Sequence, residues 1–235
     1  MTDEVMSRDA ASGDGFEAQA SIYEMIREDI ISGRLASNER LKVAELAERY
    51  STSTNPVREA LQQLRGEGFV VMEPNRGARV RPIDEAFVRD IMEIEVLIEG
   101  ALSRWFVSVA TAADVTALEE IQDQLEANDY ADRLLHGQLD TRFHQLIYDR
   151  HYNRHAAELW WKHREILRAI SRRFPTSLSR RAAVFREHRE LIAAIKAQDA
   201  DAAAACVARH VEGSGRHIIE QMGMANRNAV RRPLE

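Results

Sequence analysis

The run Asn55-Pro56-Val57-Arg58-Glu59-Ala60-Leu61-Gln62-Gln63-Leu64-Arg65-Gly66-Glu67-Gly68-Phe69-Val70 constrains this 235-residue chain more than any other. It reads as a short helix that starts at a polar cap, carries Arg58 near its start, and passes directly into two β-like stretches, Phe69 to Glu73 and Ala78 to Arg81. Pro56 suits the first helical turn, where its missing N–H is not needed, and Ser53, Thr54 and Asn55 are candidate caps. Pro74-Asn75-Arg76-Gly77 between the stretches is a hairpin turn with glycine where positive φ is needed. Only the first residues of a recognition helix reach base edges in the major groove, so this layout points to DNA binding.

The flanking segments complete the motif. Ile22, Met25, Ile26, Ile30 and Ile31 recur at helical spacing, and Gly33 follows as a stop. Val43 to Tyr50 again has apolar positions three and four apart, and the polar cluster Ser51 to Asn55 breaks the pattern before Pro56. Residues 18–82 are therefore expected to form a winged helix-turn-helix, preceded by a disordered leader over 1–17. From Ile83 onward only helical period remains, with helices expected at 84–108, 112–129, 131–150, 154–174, 177–197 and 200–222. The fold class expected is mostly α: the winged helix-turn-helix, then an antiparallel six-helix bundle over 83–222, then a flexible tail over 223–235.

Composition sets bounds. A hydrophobic fraction of 45% with 30% charged residues and few aromatics is that of a helical protein long enough for two cores. No apolar stretch approaches the roughly 18 residues of a membrane span, and the acidic start lacks the basic region and apolar core of a signal peptide, so a cytoplasmic protein without membrane contact is expected. The lone Cys206 reads as a small packing residue. The net charge of −6 divides unevenly: Ala20 to Pro82 holds ten Lys or Arg against nine Asp or Glu, a balance of +1. That permits DNA binding if the cations share one face, without arguing for it.

The set Ile30-Ile31-Ser32-Gly33-Arg34-Leu35, Leu46-Ala47-Glu48, Pro56-Val57-Arg58-Glu59-Ala60-Leu61, Glu67-Gly68 and Pro74-Asn75-Arg76-Gly77 resembles the GntR family of bacterial transcription regulators. Asp140-Thr141-Arg142-Phe143-His144, Glu187-His188 and Arg209-His210 extend the resemblance to its FadR-like branch, whose effector domain is all-helical and of the FCD type. The likeness covers residues 18 to 222. It implies a homodimer that reads an inverted-repeat operator in double-stranded DNA and answers to a small organic acid.

Read without that resemblance, Asp140 and His144 lie four apart on one helix and share a face, a spacing also common among solvated neighbours. His188 and His210 come from two later helices, and bundle interiors recurrently hold ions. The resemblance assigns all four to a divalent cation, and the ligand types suit Zn, Ni or Mn. His136, His151, His155, His163 and His217 read as surface or packing residues, His136 lying one turn before Asp140.

The resemblance further implies effector contacts from Arg104, Arg164 and Arg168, with Trp160 or Trp161 as a wall. Arg164, Arg168 and Arg172 also form a basic stripe of the kind a solvated helix face carries. Where many relatives have an arginine in the first effector helix this chain has Glu95, which puts an acid held by that arginine in doubt. For DNA, Arg58 is the candidate base contact, Thr52, Ser53 and Thr54 offer hydroxyls to phosphates, and Arg76 with Gly77 forms the wing tip. Ala44 and Thr54 replace two arginines frequent in relatives, so operator sequence does not transfer. Coupling between the halves is expected over residues 83–110. A metal-sensing regulator is the alternative. An Asp/His₃ site could also activate water in a metal-dependent hydrolase, but no H-E-x-x-H pattern or paired general base is seen, so no enzyme is expected.

Overall fold

The computed structural model describes residues 21–73 and 77–230. Its elements run α1 (Ile22–Ser32), β1 (Arg40–Leu41), α2 (Val43–Arg49), α3 (Thr54–Gly66), β2 (Val70–Glu73), β3 (Gly77–Val80), then α4 (Glu85–Val109), α5 (Ala112–Asn128), α6 (Arg133–Tyr148), α7 (Arg154–Ser171), α8 (Leu178–Lys196) and α9 (Ala200–Val230). Helix α1 opens on a capping box, Ser21 with Glu24, and closes at Gly33, whose φ of +81° is the left-handed conformation that terminates a helix cheaply only with glycine. Helix α3 takes Ser53 as its cap residue and buries Val57, Ala60, Leu61 and Leu64.

The small sheet is antiparallel with order β1-β3-β2. β2 and β3 pair Val70 with Val80 and Glu73 with Gly77, forming the expected wing, while β1 adds a two-residue edge that the sequence pattern did not announce. The turn residues 74–76, Arg76 among them, lie outside the described residues, as does the expected leader over 1–17.

Six helices follow, as the periodicity predicts. α4 packs on α9, α6 and α7; α8 packs on α9 and α5; α5 packs on α6. The expected break at residue 222 is absent: α9 continues through Val230, because Gly223 alone does not stop a helix and no proline occurs before Pro233. At Gly215 the two longest helices approach so closely that an added Cβ would lie 2.5 Å from Met92 Cγ. The winged segment rests on α7. Arg27 of α1 donates to the Glu165 carboxylate at 3.0 Å, and Ile166 reaches within 3.4 Å of where a Cβ on Gly68 would stand.

Candidate metal and effector site

The DNA-facing candidates cluster at the start of α3. Ser53, Thr54 and Arg58 are exposed and Thr52 is half-buried, opposite the face carrying Val57 and Leu61. The Arg58 guanidinium donates to Thr54 Oγ1 at 3.4 Å and Asn55 Oδ1 at 3.3 Å, holding it over the first turn. Ser53 makes no capping bond through its side chain, and Gly77 lies exposed at φ +81° where β3 begins.

In the bundle, α6, α8 and α9 bring His144, His188 and His210 together with a ligating nitrogen from each within 4.8 Å of the others. All three are buried. The donor set fits a divalent cation, because both ring nitrogens of His144 and Nε2 of His188 are buried with no hydrogen-bond partner among the described residues. Such orphaned groups are costly unless something coordinates them. The other nitrogens are oriented from behind. His188 Nδ1 donates to Gln122 Oε1 at 2.8 Å, and His210 Nδ1 donates to Glu187 Oε2 at 2.9 Å. Arg180 in turn holds both Glu187 oxygens, at 3.0 and 2.9 Å. Outer partners of this kind fix the tautomer that turns Nε2 toward an ion.

Electrostatics agree. Burial, joined by the charge on Arg164, depresses His144 well below the usual imidazole value, and burial followed by His210 takes His188 down to about 3. Both are therefore neutral and have the lone pair a metal needs. Asp140 stands at the edge of the group, with Oδ1 3.7 Å from His188 Nε2 and Oδ2 in an ion pair with Arg164. Burial opposes its charge, yet the Arg164 guanidinium holds it far below the ordinary carboxylate range.

Beside the imidazoles opens a cavity of about 550 Å³, bordered by Glu95, Glu99, Asp140, Arg164, Arg168 and His210 among others. Arg164 and Arg168, two of the expected effector contacts, thus border this cavity. Arg104 does not: helical spacing turns it away from the buried face of α4, and it pairs with Asp201 at the start of α9. Trp160 is fully buried behind the triad, 6.5 Å between centroids from His144 and edge-on to Tyr148 at 5.0 Å, so it packs the floor and is no cavity wall. Trp161 binds Asp149 Oδ1 instead.

Several side chains at or near the cavity were read otherwise in the sequence. His136 and His217 border the cavity, His136 stacked on Tyr130 at 3.5 Å, and His163 contacts Glu95 Oε1 at 2.6 Å. His151 and His155 do behave as packing and surface residues, the first against Trp105 and the second almost wholly exposed. Glu99 accepts from the Tyr148 hydroxyl at 2.7 Å. Burial pushes Glu95 up to about 8; burial and then Glu95 push Glu99 up to about 7. Gln122 could have been found: it is fully buried on a helix face otherwise made of Leu118, Ile121 and Leu125, where a polar residue needs a reason.

Comparison with known proteins adds a separate finding. The FCD domain family matches residues 90–213, and the family described as bacterial regulatory proteins, gntR family, matches residues 18–80. The HTH-type transcriptional repressor RspR of Escherichia coli is 29% identical over 199 residues, 81% of this chain and 84% of that protein. The galactonate operon transcriptional repressor of the same species is 26% identical over 197 residues, covering 75% and 86%. Among solved structures, E. coli McbR/YncC superposes with a TM-score of 0.64 at 20% identity over 85% of this chain and 96% of that one, a likeness of fold.

Proposed function

This chain belongs to the GntR regulators that carry an FCD domain, and from that membership we propose how its parts act. It is a DNA-binding transcriptional regulator, not an enzyme. Residues 18–82 bind an inverted-repeat operator as one half of a homodimer, since two symmetric recognition helices match a palindrome and one alone gives limited affinity. Arg58 reads a base edge, Thr52, Ser53 and Thr54 meet phosphates, and Arg76 with Gly77 enters the minor groove.

In the bundle, His144, His188 and His210, with Asp140 beside them, hold a divalent cation of the Zn, Ni or Mn type. Bound there, the ion supplies positive charge and coordination positions open to oxygen donors. The effector is a small organic acid in the adjoining cavity. Arg168, whose side chain meets Glu165 at 3.4 Å and no other carboxylate among the described residues, has donors to spare for a carboxylate, while Arg164 is held by Asp140. The observation that carries this reading is the trio of orphaned imidazole nitrogens on His144 and His188, set beside His210 and Asp140, which border a cavity with a basic wall. The cavity favours an organic signal over the ion alone, which would leave most of that volume unfilled. Binding alters operator affinity by favouring one placement of the two winged domains.

The test is metal content by elemental analysis together with operator binding by fluorescence anisotropy. His188→Ala and His210→Ala are expected to lose the ion that the unaltered protein retains through dialysis, and Arg58→Ala to weaken operator binding at least about tenfold, the scale of one bidentate base contact. Full metal occupancy in both histidine variants overturns the ion site, and unchanged operator affinity removes Arg58 from the contact surface.

A further inference from the structure

We infer that the effector carries a cationic amino group in addition to its carboxylate, and that Glu95 and Glu99 on α4 form the subsite for that amine; the inference rests on the organic-acid reading above. The cavity has walls of opposite charge. On the α7 side stand Arg168 and the exposed Arg172, and on the α4 side Glu95 and Glu99, one helical turn apart on the same face. Both glutamates are nearly sealed from solvent, with 2% and 6% exposure.

Among the described residues their close partners include no lysine or arginine. Glu95 meets the His163 ring and its neighbour Glu99, Glu99 meets the Tyr148 hydroxyl with His144 at 3.9 Å, and the charge of Arg164 is felt by both from further off. Among the described residues neither carboxyl forms an ion pair with a lysine or arginine; Arg164, whose charge reaches both, is paired with Asp140. A buried carboxylate without a counter-cation is expensive, and burial accordingly favours the protonated form of Glu95, whose value rises to about 8; a paired cation is what lets it ionise. An ammonium group from the ligand supplies the missing charge and three donors to two acceptor-rich groups. A second carboxylate in the same position meets repulsion, so the pair selects against dicarboxylic acids as strongly as it selects for amines.

Helix geometry sets the spacing. His163, which contacts Glu95, and Arg168 are separated by a rise of about 7.5 Å along α7 at 1.5 Å per residue. A short ω-amino acid bridges that distance, its carboxylate at Arg168 and its amine at the glutamates.

The experiment uses the full metal-loaded chain and three five-carbon probes: 5-aminopentanoate, 5-hydroxypentanoate and glutarate. Calorimetric titration is expected to rank the amino acid at least about tenfold tighter than glutarate, the scale of one charged hydrogen bond. Glu95→Gln, nearly isosteric, is expected to erase about tenfold of the amino acid's advantage while leaving the hydroxy acid within about twofold. Glu99→Gln serves as the second variant, and circular dichroism checks that both fold; if neither does, the ranking of probes by the unaltered protein decides. Glutarate or the hydroxy acid binding as well as the amino acid overturns the amine subsite and leaves the organic-acid reading standing. So does an unaffected glutamine variant. Failure of all three probes overturns both.

Discussion

Asp29 shows how much one side chain organises in the winged segment. It is 6% exposed, accepts from the Tyr50 hydroxyl at 2.7 Å, and pairs with Arg34 and with Arg49 at 3.0 Å, tying α1 to the end of α2 and to the residues after Gly33. Burial works against its charge, but Tyr50 and Arg34 outweigh it and hold the carboxyl below its ordinary value of 3.8. A depressed native value means the stabilisation is complete above that ordinary value and is lost as the pH falls through the native one. Asp29→Asn is expected to cost about 2 kcal/mol near neutral pH, the range for hydrogen bonds to a charged group, and to flatten the loss of stability in acid; urea melts from neutral to acid pH measure both. Nothing in the sequence marked Asp29, since its partners lie 5, 20 and 21 residues away and are brought to it by the turn between helices. The three candidate imidazoles of the bundle, His144, His188 and His210, were legible because family motifs flank each of them. Glu95 was noticed as a departure from those motifs, yet its contact with His163 joins helices 68 residues apart, and no local pattern encodes that.

At the level of elements, all six bundle helices were readable, because each keeps an apolar face and four of them open on a side-chain cap: Thr111 before α5, Asp132 before α6, Asn153 before α7, Ser177 before α8. β1 was not, since two residues cannot show a period, and its pairing with β3 depends on a partner strand 39 residues on. Arg104 was misplaced for a related reason: its type suited an acid, but which way a helix turns is set by its packing neighbours. α4 and α9 illustrate that dependence. Their contact at Met92 and Gly215 tolerates no side chain, so Gly215→Ala must displace Cγ of Met92 and with it the neighbouring turn. About 2 kcal/mol of stability is expected to be lost, as in other overpacked cores, with the thermal midpoint falling while helical content in circular dichroism is kept.

For the whole molecule the question is how a signal in the bundle reaches the DNA-binding half. Residues 83–110 were the expected route, and Arg81 does lie over the Phe87 ring at 5.5 Å where the two halves join. α7 provides a second contact that no local pattern announces, because Arg27 and Glu165 are 138 residues apart. Glu165 is shared: one oxygen serves Arg27, the other faces Arg168 at the cavity. A ligand that draws Arg168 away changes the contact on which the winged segment rests. A double-mutant cycle on Arg27→Ala and Glu165→Ala is expected to give a coupling of about 0.5–1 kcal/mol, modest because the pair is partly exposed, together with faster proteolysis near Pro82 in each variant. Zero coupling with unaltered cleavage removes α7 from the route. The pairing of α4 with α9 also has a temporal side. During synthesis the first bundle helix leaves the ribosome with its apolar stripe bare, and the helix that covers it follows only after four others. The winged half can fold early, but the bundle stays open until α9 has emerged, which makes loss of α9 the lesion that leaves this regulator sticky and unfinished.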